Sequence, residues 1–294
     1  MKFILTADLH LRGDLPRCRL DENWIGTQRG MIRFIVKSAH ERGLPLLITG
    51  DIFHTPRIAT EMLYMVIEEL TNTGVETRIL AGNHDMIYHN YAMKSQTSFG
   101  VLSHSIQELK TNELWNARPF GLDDPTERHE LVFSHQLVFP NAKARPMNCS
   151  DLGRTAEEVL EQFPNAKIVC VGDYHHKFVH RAPDGRLVIN PGCTIRQVAD
   201  MKDYKPSFYV VDTEALTVEE IEIPDDYGLV TDEYLRTEEE SSATITAFVE
   251  AIKSGKAIDL DFRANLERRL GECRPDVRQL INDLMQETFN EEKK

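Results

Sequence analysis

Apolar positions follow two alternating rhythms along the first eighty residues. Lys2–Ala7, Leu44–Thr49 and Thr77–Leu80 are short, nearly unbroken apolar runs, the pattern of strands buried on both faces. Between them the spacing changes. Ile25, Met31, Ile32, Phe34, Ile35 and Val36 recur at helical intervals and stop before Gly43, and Met62, Leu63, Val66, Ile67 and Leu70 do the same. These patterns predict helices over Trp24–Arg42 and Thr60–Thr73. Strand, helix, strand, helix, strand makes two βαβ units, so the fold class is α/β in layers with a largely parallel sheet.

Further strands are predicted at Glu130–Phe133, Lys167–Val171 and Ser207–Val211. Phe178–Arg181 and Leu187–Ile189 flank the turn Pro183-Asp184-Gly185 and read as a hairpin. After Pro224 the chain turns acidic and poor in large apolar residues. The expected organisation is a main domain over 1–224, an acidic linker or loop over 225–242 and a small helical region over 243–294. The last helix, Pro275–Glu292, carries Val277, Leu280, Ile281, Leu284, Met285 and Phe289 on one face.

The polar turns at the strand ends carry the chemistry. Five apolar runs end in Asp8-x-His10, Gly50-Asp51, Gly82-Asn83-His84-Asp85, Ser134-His135 and Gly172-Asp173-Tyr174-His175-His176. Strand ends converge on one rim of an α/β sheet, so groups far apart in sequence can meet there. Oxygen and imidazole donors brought together suit manganese, iron or zinc. The period of a strand places Asp8 with His10, and Asp173 with His175, on a common side, and turns His176 away. Any one of these residues taken alone is as well explained as a helix cap or turn former.

The ordered set Asp-x-His, Gly-Asp, Gly-Asn-His-Asp, His and Gly-x-x-His resembles the calcineurin-like metallophosphoesterases. That resemblance implies a β-sandwich flanked by helices with two metals at its edge. Within the superfamily, Gly50-Asp51-Ile52-Phe53-His54-Thr55-Pro56-Arg57, followed by a helix and Leu80-Ala81-Gly82-Asn83-His84-Asp85, is similar to SbcD-type exonuclease subunits and to subunits of bacteriophage recombination nucleases. Asn190-Pro191-Gly192-Cys193-Thr194 resembles the family's Pro-Gly-Ser turn.

The resemblance implies roles by position. Asp51 bridges both ions; Asp8, His10 and His175 complete one site; Asn83, His135 and Asp173 complete the other. Asp173 stands where the family usually has histidine, which favours harder ions: manganese first, with magnesium or iron(II) as alternatives. His84 is the expected general acid and Asp85 its orienting partner. His54 and Arg57 are candidate DNA contacts, with a helix-entry role equally open for His54. Arg12, Arg17, Arg19, Arg29 and Arg33 are candidate phosphate contacts or, equally, a solvated face. Val277, Leu280, Ile281 and Leu284 are either core or, by the resemblance, the docking face for an SbcC-like coiled-coil ATPase. A homodimer is a further expectation.

Charge adjusts this picture. The 294 residues carry a net charge of −13, yet residues 1–60 hold nine Lys/Arg against six Asp/Glu, and 201–294 hold twelve against twenty-three. An acidic chain does not bind nucleic acid by overall charge; it can still grip phosphates through cations and a local basic rim. Five dispersed cysteines without a Cys-x-x-Cys pair, and apolar runs too short for a signal peptide or membrane span, lead to an expected cytoplasmic location, in a bacterial cell or a phage-infected host. The expected function is a metal-dependent DNA exonuclease, with possible single-strand endonuclease activity, working in DNA end processing, repair or recombination. The alternatives are a stand-alone metallophosphoesterase acting on small phosphodiesters or phosphoproteins, and a non-catalytic partner-binding scaffold.

Overall fold

Strand β1 (Lys2–Thr6) sends alternate side chains into two different cores. Phe3 and Leu5 pack with Leu47, Phe133, Cys170 and Ile189, whereas Ile4 packs with Met31, Ile35 and Val66. A strand covered on both faces needs apolar residues at consecutive positions, which is why its run is unbroken.

The computed structural model describes residues 1–122, 128–146, 153–224, 230–233 and 235. The chain divides into two compact units, Met1–Tyr234 and Leu235–Lys294. Most of the expected linker at 225–242, all of the helical region at 243–294, and with it Val277, Leu280, Ile281 and Leu284, lie outside the described residues.

Four parallel strands, β1, β2 (Leu46–Thr49), β3 (Thr77–Leu80) and β4 (Gln107–Glu108), lie side by side in the first sheet. The second sheet contains β5 (Asn116–Arg118), β6 (Leu131–His135), β9 (Ile168–Gly172) and the hairpin β10 (Phe178–Arg181) and β11 (Leu187–Asn190). A small parallel pair, β7 (Val138–Phe139) with β8 (Arg154–Thr155), stands apart. The chain then returns to the first sheet through β12 (Ser207–Asp212) and β13 (Thr217–Glu222), which pair antiparallel beyond β1. The sheet orders are β13-β12-β1-β2-β3-β4 and β10-β11-β9-β6-β5.

Helices cover the outer faces. α1 (Trp24–Arg42) starts where Asn23 Oδ1 accepts from the Gly26 N–H at 2.9 Å and ends at Gly43, whose φ of 62° is the left-handed geometry of a helix stop. With α2 (Thr60–Thr71) it packs on Ile4, Leu46, Ile48, Ile79 and Phe208. A short helix α3 (Ser98–Leu102) adds Phe99 and Leu102 to the same core. On the far side α4 (Ala156–Gln162), held by a Thr155/Glu158 capping box, packs Val159 and Leu160 on Val132, Val169 and Val188. The order is therefore helices, sheet, sheet, helix, with Phe3, Leu5, Phe133 and Ile189 between the sheets. Each such buried side chain contributes about 1.5–3 kcal/mol.

The arginine-rich segment is resolved by pairing. Arg29 and Arg33 of α1 bind Glu69 of α2, and Arg29 also binds Glu68. Arg19 is buried against Asp21. Arg29 and Arg33 thus tie α1 to α2, and Arg19 holds its own loop.

Candidate metal centre

Every proposed ligand sits just past a strand or at its last residue. Asp8 and His10 follow β1, Asp51 follows β2, Asn83 follows β3, His135 closes β6, and Asp173 and His175 follow β9. The backbone leaves the strands abruptly there. Asp8, His10, Asp51 and Asp173 have φ of 49°, 44°, 48° and 84°, a region in which non-glycine residues carry a steric cost of roughly 1–3 kcal/mol each. Strand alternation thus does not align Asp8 with His10 or Asp173 with His175, as the sequence pattern predicts; left-handed turns aim them instead.

Glycines make the close approach possible. A Cβ on Gly82 would lie 2.0 Å from Asp51 Oδ1, and one on Gly50 would lie 2.0 Å from His135 Nδ1. Gly50 also has a φ of 100°.

The resulting cluster is buried. Asp51 Oδ2 lies 3.4 Å from His135 Nε2 and 3.6 Å from His10 Nε2. His10 Nε2 faces His175 Nε2 at 3.0 Å, and His135 Nε2 faces Asn83 Oδ1 at 3.0 Å. Two triads of donor atoms, Asp8/His10/Asp51 and Asp51/His135/Asp173, each converge within 4.8 Å and share Asp51. Asp8 accepts from the Asp173 N–H through both oxygens at 3.1 Å. His135 donates its Nδ1–H to the Thr49 carbonyl at 2.8 Å, which turns Nε2 toward the cluster.

Electrostatics indicate what the cluster needs. Burial, reinforced by the Asp51 and Asp173 carboxylates, pushes Asp8 up to about 8. Burial and Asp51 also raise Asp173. Burial holds His10 and His175 below the usual imidazole range, as neutral donors. Burial would lower His135 too, but Asp51 overcomes it and drives the imidazole to about 10. Burial would raise Asp51, yet the surrounding histidines, His135 above all, outweigh it and hold this carboxyl well below the usual carboxylate range. His10 Nδ1 and Asp51 Oδ2 are buried without hydrogen-bond partners. Crowded carboxylates, neutral imidazoles and an orphaned carboxylate oxygen between two ring nitrogens fit divalent cations.

The Calcineurin-like phosphoesterase pattern matches residues 1–177. The chain belongs to the calcineurin-like phosphoesterase family. Members use two divalent metals, and the two Asp51-sharing triads offer this phosphoesterase places for them. No curated protein sequence matches the chain. Among solved structures it is similar to a novel archaeal phosphodiesterase, at 15% identity with a TM-score of 0.42, over 76% of this chain and 100% of that one. It is similar to the protein TT1561 of Thermus thermophilus, at 11% identity and 0.46, over 76% and 99%. It is also similar to a dimetal phosphatase from Danio rerio, at 13% identity and 0.45, over 71% and 91%. Among the described residues no helix is long and apolar enough to cross a membrane.

The remaining expected residues divide. His84 is at the cluster: its ring centroid is 4.8 Å from that of His10, its Nδ1–H donates to the His54 carbonyl at 2.9 Å, and its N–H donates to Asp51 Oδ1 at 2.9 Å. His54 stacks on His84 at 5.6 Å, and Arg12 Nη1 approaches His54 Nε2 at 3.1 Å. Asp85 is placed otherwise than expected. Its buried carboxylate accepts from the backbone of Gly82 and Phe53 at 2.9 Å and of Ile52 at 3.3 Å. It ties the β2 and β3 loops together, while the His54 carbonyl orients His84. Burial and Asp51 raise Asp85 to about 7. Arg57 is exposed and donates to the Gln96 carbonyl at 3.1 Å; Arg17 is exposed on the loop before α1. His176 is exposed, its ring near Tyr174 and Tyr204.

Sequence reasoning passes over several supports. Thr49 acts through its carbonyl, which leaves no side-chain signal. His89 donates Nδ1–H to the Asn83 carbonyl at 3.0 Å; its closeness in sequence to His84 is the only clue. Gln197, 187 positions from His10, donates to the His10 carbonyl at 2.9 Å. Asn190 Nδ2 donates to the His176 carbonyl at 2.9 Å and fixes the turn carrying His175.

Proposed function

We propose that this phosphoesterase is a manganese-dependent DNA exonuclease, with single-strand endonuclease activity, acting in end processing, repair or recombination beside an SbcC-like coiled-coil ATPase. The observation that carries the reading is the stacking of His54 on His84, with Arg12, itself paired with Asp14, beside His54. The nuclease-like stretch Gly50–Arg57 thereby lies at the metal cluster, with a cation beside it. Manganese suits the donor set: Asp8, Asp51, Asn83 and Asp173 supply oxygen, and His10, His135 and His175 supply nitrogen. An acidic subunit engages DNA through the ions, through Arg12 and through the ATPase partner, docked by Val277, Leu280, Ile281 and Leu284.

Bound divalent ions supply Lewis acidity toward the phosphoryl oxygens and acidify water. The chain's own groups do the rest. Water gives up a proton to solvent and its oxygen bonds to phosphorus as the bond from phosphorus to the sugar oxygen breaks, and the leaving oxygen keeps that electron pair. His84, held by its Nδ1–H on the His54 carbonyl, acts from Nε2 as the general acid toward that oxygen. Arg12 offers positive charge to a phosphate entering beside His54.

The test is a manganese-dependent assay on end-labelled linear duplex DNA beside bis(p-nitrophenyl) phosphate. Shortening of the duplex, abolished by chelation, supports the nuclease. Turnover of the small diester alone overturns it in favour of a stand-alone phosphodiesterase.

A further inference from the structure

Backbone hydrogen bonds continue the pairing of β1 with β2 into the two loops that follow. The Asp8 N–H donates to the Gly50 carbonyl at 3.1 Å, His10 to Asp51 at 3.0 Å and Leu11 to Ile52 at 2.9 Å. The His54 N–H returns to the Leu11 carbonyl at 3.1 Å. At Arg12 this ladder ends, and a side chain replaces it. Gln28 of α1 accepts from the Arg12 N–H through Oε1 at 2.9 Å and donates from Nε2 to the Arg12 carbonyl at 2.9 Å. Nε2 also donates to the Trp24 carbonyl at 3.3 Å. The amide thus exchanges both bonds with Arg12, as an opposite residue on an antiparallel strand would.

Gln28 is fully buried, on a face of α1 otherwise made of Trp24, Met31, Ile32 and Ile35. Methionine would fill that place without burying an amide, so packing does not account for the glutamine. What the amide fixes is Arg12. Gly13, Asp14 and Leu15 are exposed, so Arg12 is the last held residue before the chain turns out to solvent. Its guanidinium donates Nε–H to Asp14 at 3.0 Å, pairs with the same carboxylate through Nη2, and brings Nη1 to 3.1 Å from His54 Nε2. Three of the five N–H donors are thereby used, and among the described residues two are left for an anion. Arg12 also lines the cavity of about 110 Å³ whose wall includes His10, His84 and His175.

We infer that Gln28 is a positioning residue for substrate binding: by holding both backbone groups of Arg12 it keeps the guanidinium beside His54, where a phosphate enters. Gln28 itself touches no substrate. Its effect passes through Arg12, because a misplaced cation loses the directed hydrogen bonds that hold a phosphate. This rests on the reading of Arg12 as a phosphate contact and holds for any phosphodiester.

The experiment is a double-mutant cycle on the hydrolysis of bis(p-nitrophenyl) phosphate by manganese-loaded full-length protein. Arg12→Ala should raise KM about tenfold, and Gln28→Met should raise it by a large part of that, with a smaller fall in kcat. In the Arg12→Ala background, Gln28→Met should change KM by less than about twofold. Gln28→Asn, whose amide is one methylene too short to reach, is measured beside it and should shift KM the same way, which keeps the comparison available if Gln28→Met does not fold. The manganese-induced rise in Tm should persist in each. A glutamine that serves the fold alone would lower Tm and leave KM unmoved. An unchanged KM in Arg12→Ala or in the Gln28 variants, or a rise as large without Arg12 as with it, overturns the inference. The nuclease reading fails separately, if duplex DNA is not shortened while this KM pattern holds on the small diester.

Discussion

Asp51 Oδ2 stands 3.4 Å from His135 Nε2, a contact that joins the end of β2 in one sheet to the end of β6 in the other. His10 Nε2 lies 3.6 Å from the same oxygen. A single carboxylate oxygen without a hydrogen-bond partner thus sits where both donor triads overlap. Replacement by Asn keeps the shape and removes the charge. Asp51→Asn should weaken manganese binding by more than the roughly 10–100-fold that changes behind a ligand cost. Thermal unfolding provides the check. At a manganese concentration about 100 times its dissociation constant, binding stabilises wild type by about 2.7 kcal/mol, and Asp51→Asn should lose that rise in Tm. A full manganese shift in the variant would remove Asp51 as the bridging ligand.

His84 is held by a backbone carbonyl, so its role can be separated from metal binding. His84→Gln should retain the manganese-induced rise in Tm and lose about 10²–10⁴-fold in cleavage of DNA, whose leaving oxygen needs a proton. Hydrolysis of bis(p-nitrophenyl) phosphate, whose leaving group departs without one, should fall much less. An equal loss on both substrates would show that His84 positions the phosphate and does not protonate the leaving group.

Gly82 precedes Asn83 and lies against Asp51. Its backbone does not require glycine; only space does, since an added Cβ would sit 2.0 Å from Asp51 Oδ1 and 2.3 Å from the Asp51 amide nitrogen. Gly82→Ala must push the β2 and β3 loops apart. Manganese affinity and activity should both drop at least about tenfold, with the cores beyond the strand ends intact by circular dichroism. Normal manganese affinity in this variant would mean that the loops yield without moving Asp51.

The fold's inner layers are legible in the sequence because burial on two faces writes itself as unbroken apolar runs: β1, β2, β3 and β9 are found within two residues of their expected bounds. The metal-facing residues are legible as polar ends of those runs. How they are aimed is not. Left-handed backbone at Asp8, His10, Asp51 and Asp173 has no side-chain signature, since glycine and not aspartate or histidine is the residue that usually marks such a turn. Strand β13 escapes notice because only Val218 and Ile221 break its acidic run. Short strands such as β4, of two residues, carry too little pattern to detect. Asp85 misleads for a different reason: neighbours in sequence suggest a pair with His84, but its carboxylate faces backbone N–H groups of two loops.

A buried ion pair outside the metal site gives the last test. Arg19 and Asp21 meet through two hydrogen bonds of 2.7 and 2.8 Å, with side chains 1% and 2% exposed, and Thr27 adds a third to Asp21 at 2.7 Å. The pair anchors the loop between β1 and α1, where the Cys18 carbonyl accepts from the Thr231 N–H. Burial alone would raise the Asp21 carboxyl, but the hydrogen bonds from Arg19 and Thr27 more than offset it and leave it below the usual range. A carboxyl depressed in the folded state adds stability above its unfolded value of about 3.9, and that stability is lost as pH falls through the folded value. Asp21→Asn removes the charge that meets Arg19 in this buried pair, and breaking such a pair costs about 3–5 kcal/mol. Urea unfolding should show the full deficit at about pH 7 and pH 5, and a deficit that narrows below about pH 4 as wild type protonates. A difference that stays constant down to about pH 3 would show that Asp21 acts through packing and not through charge.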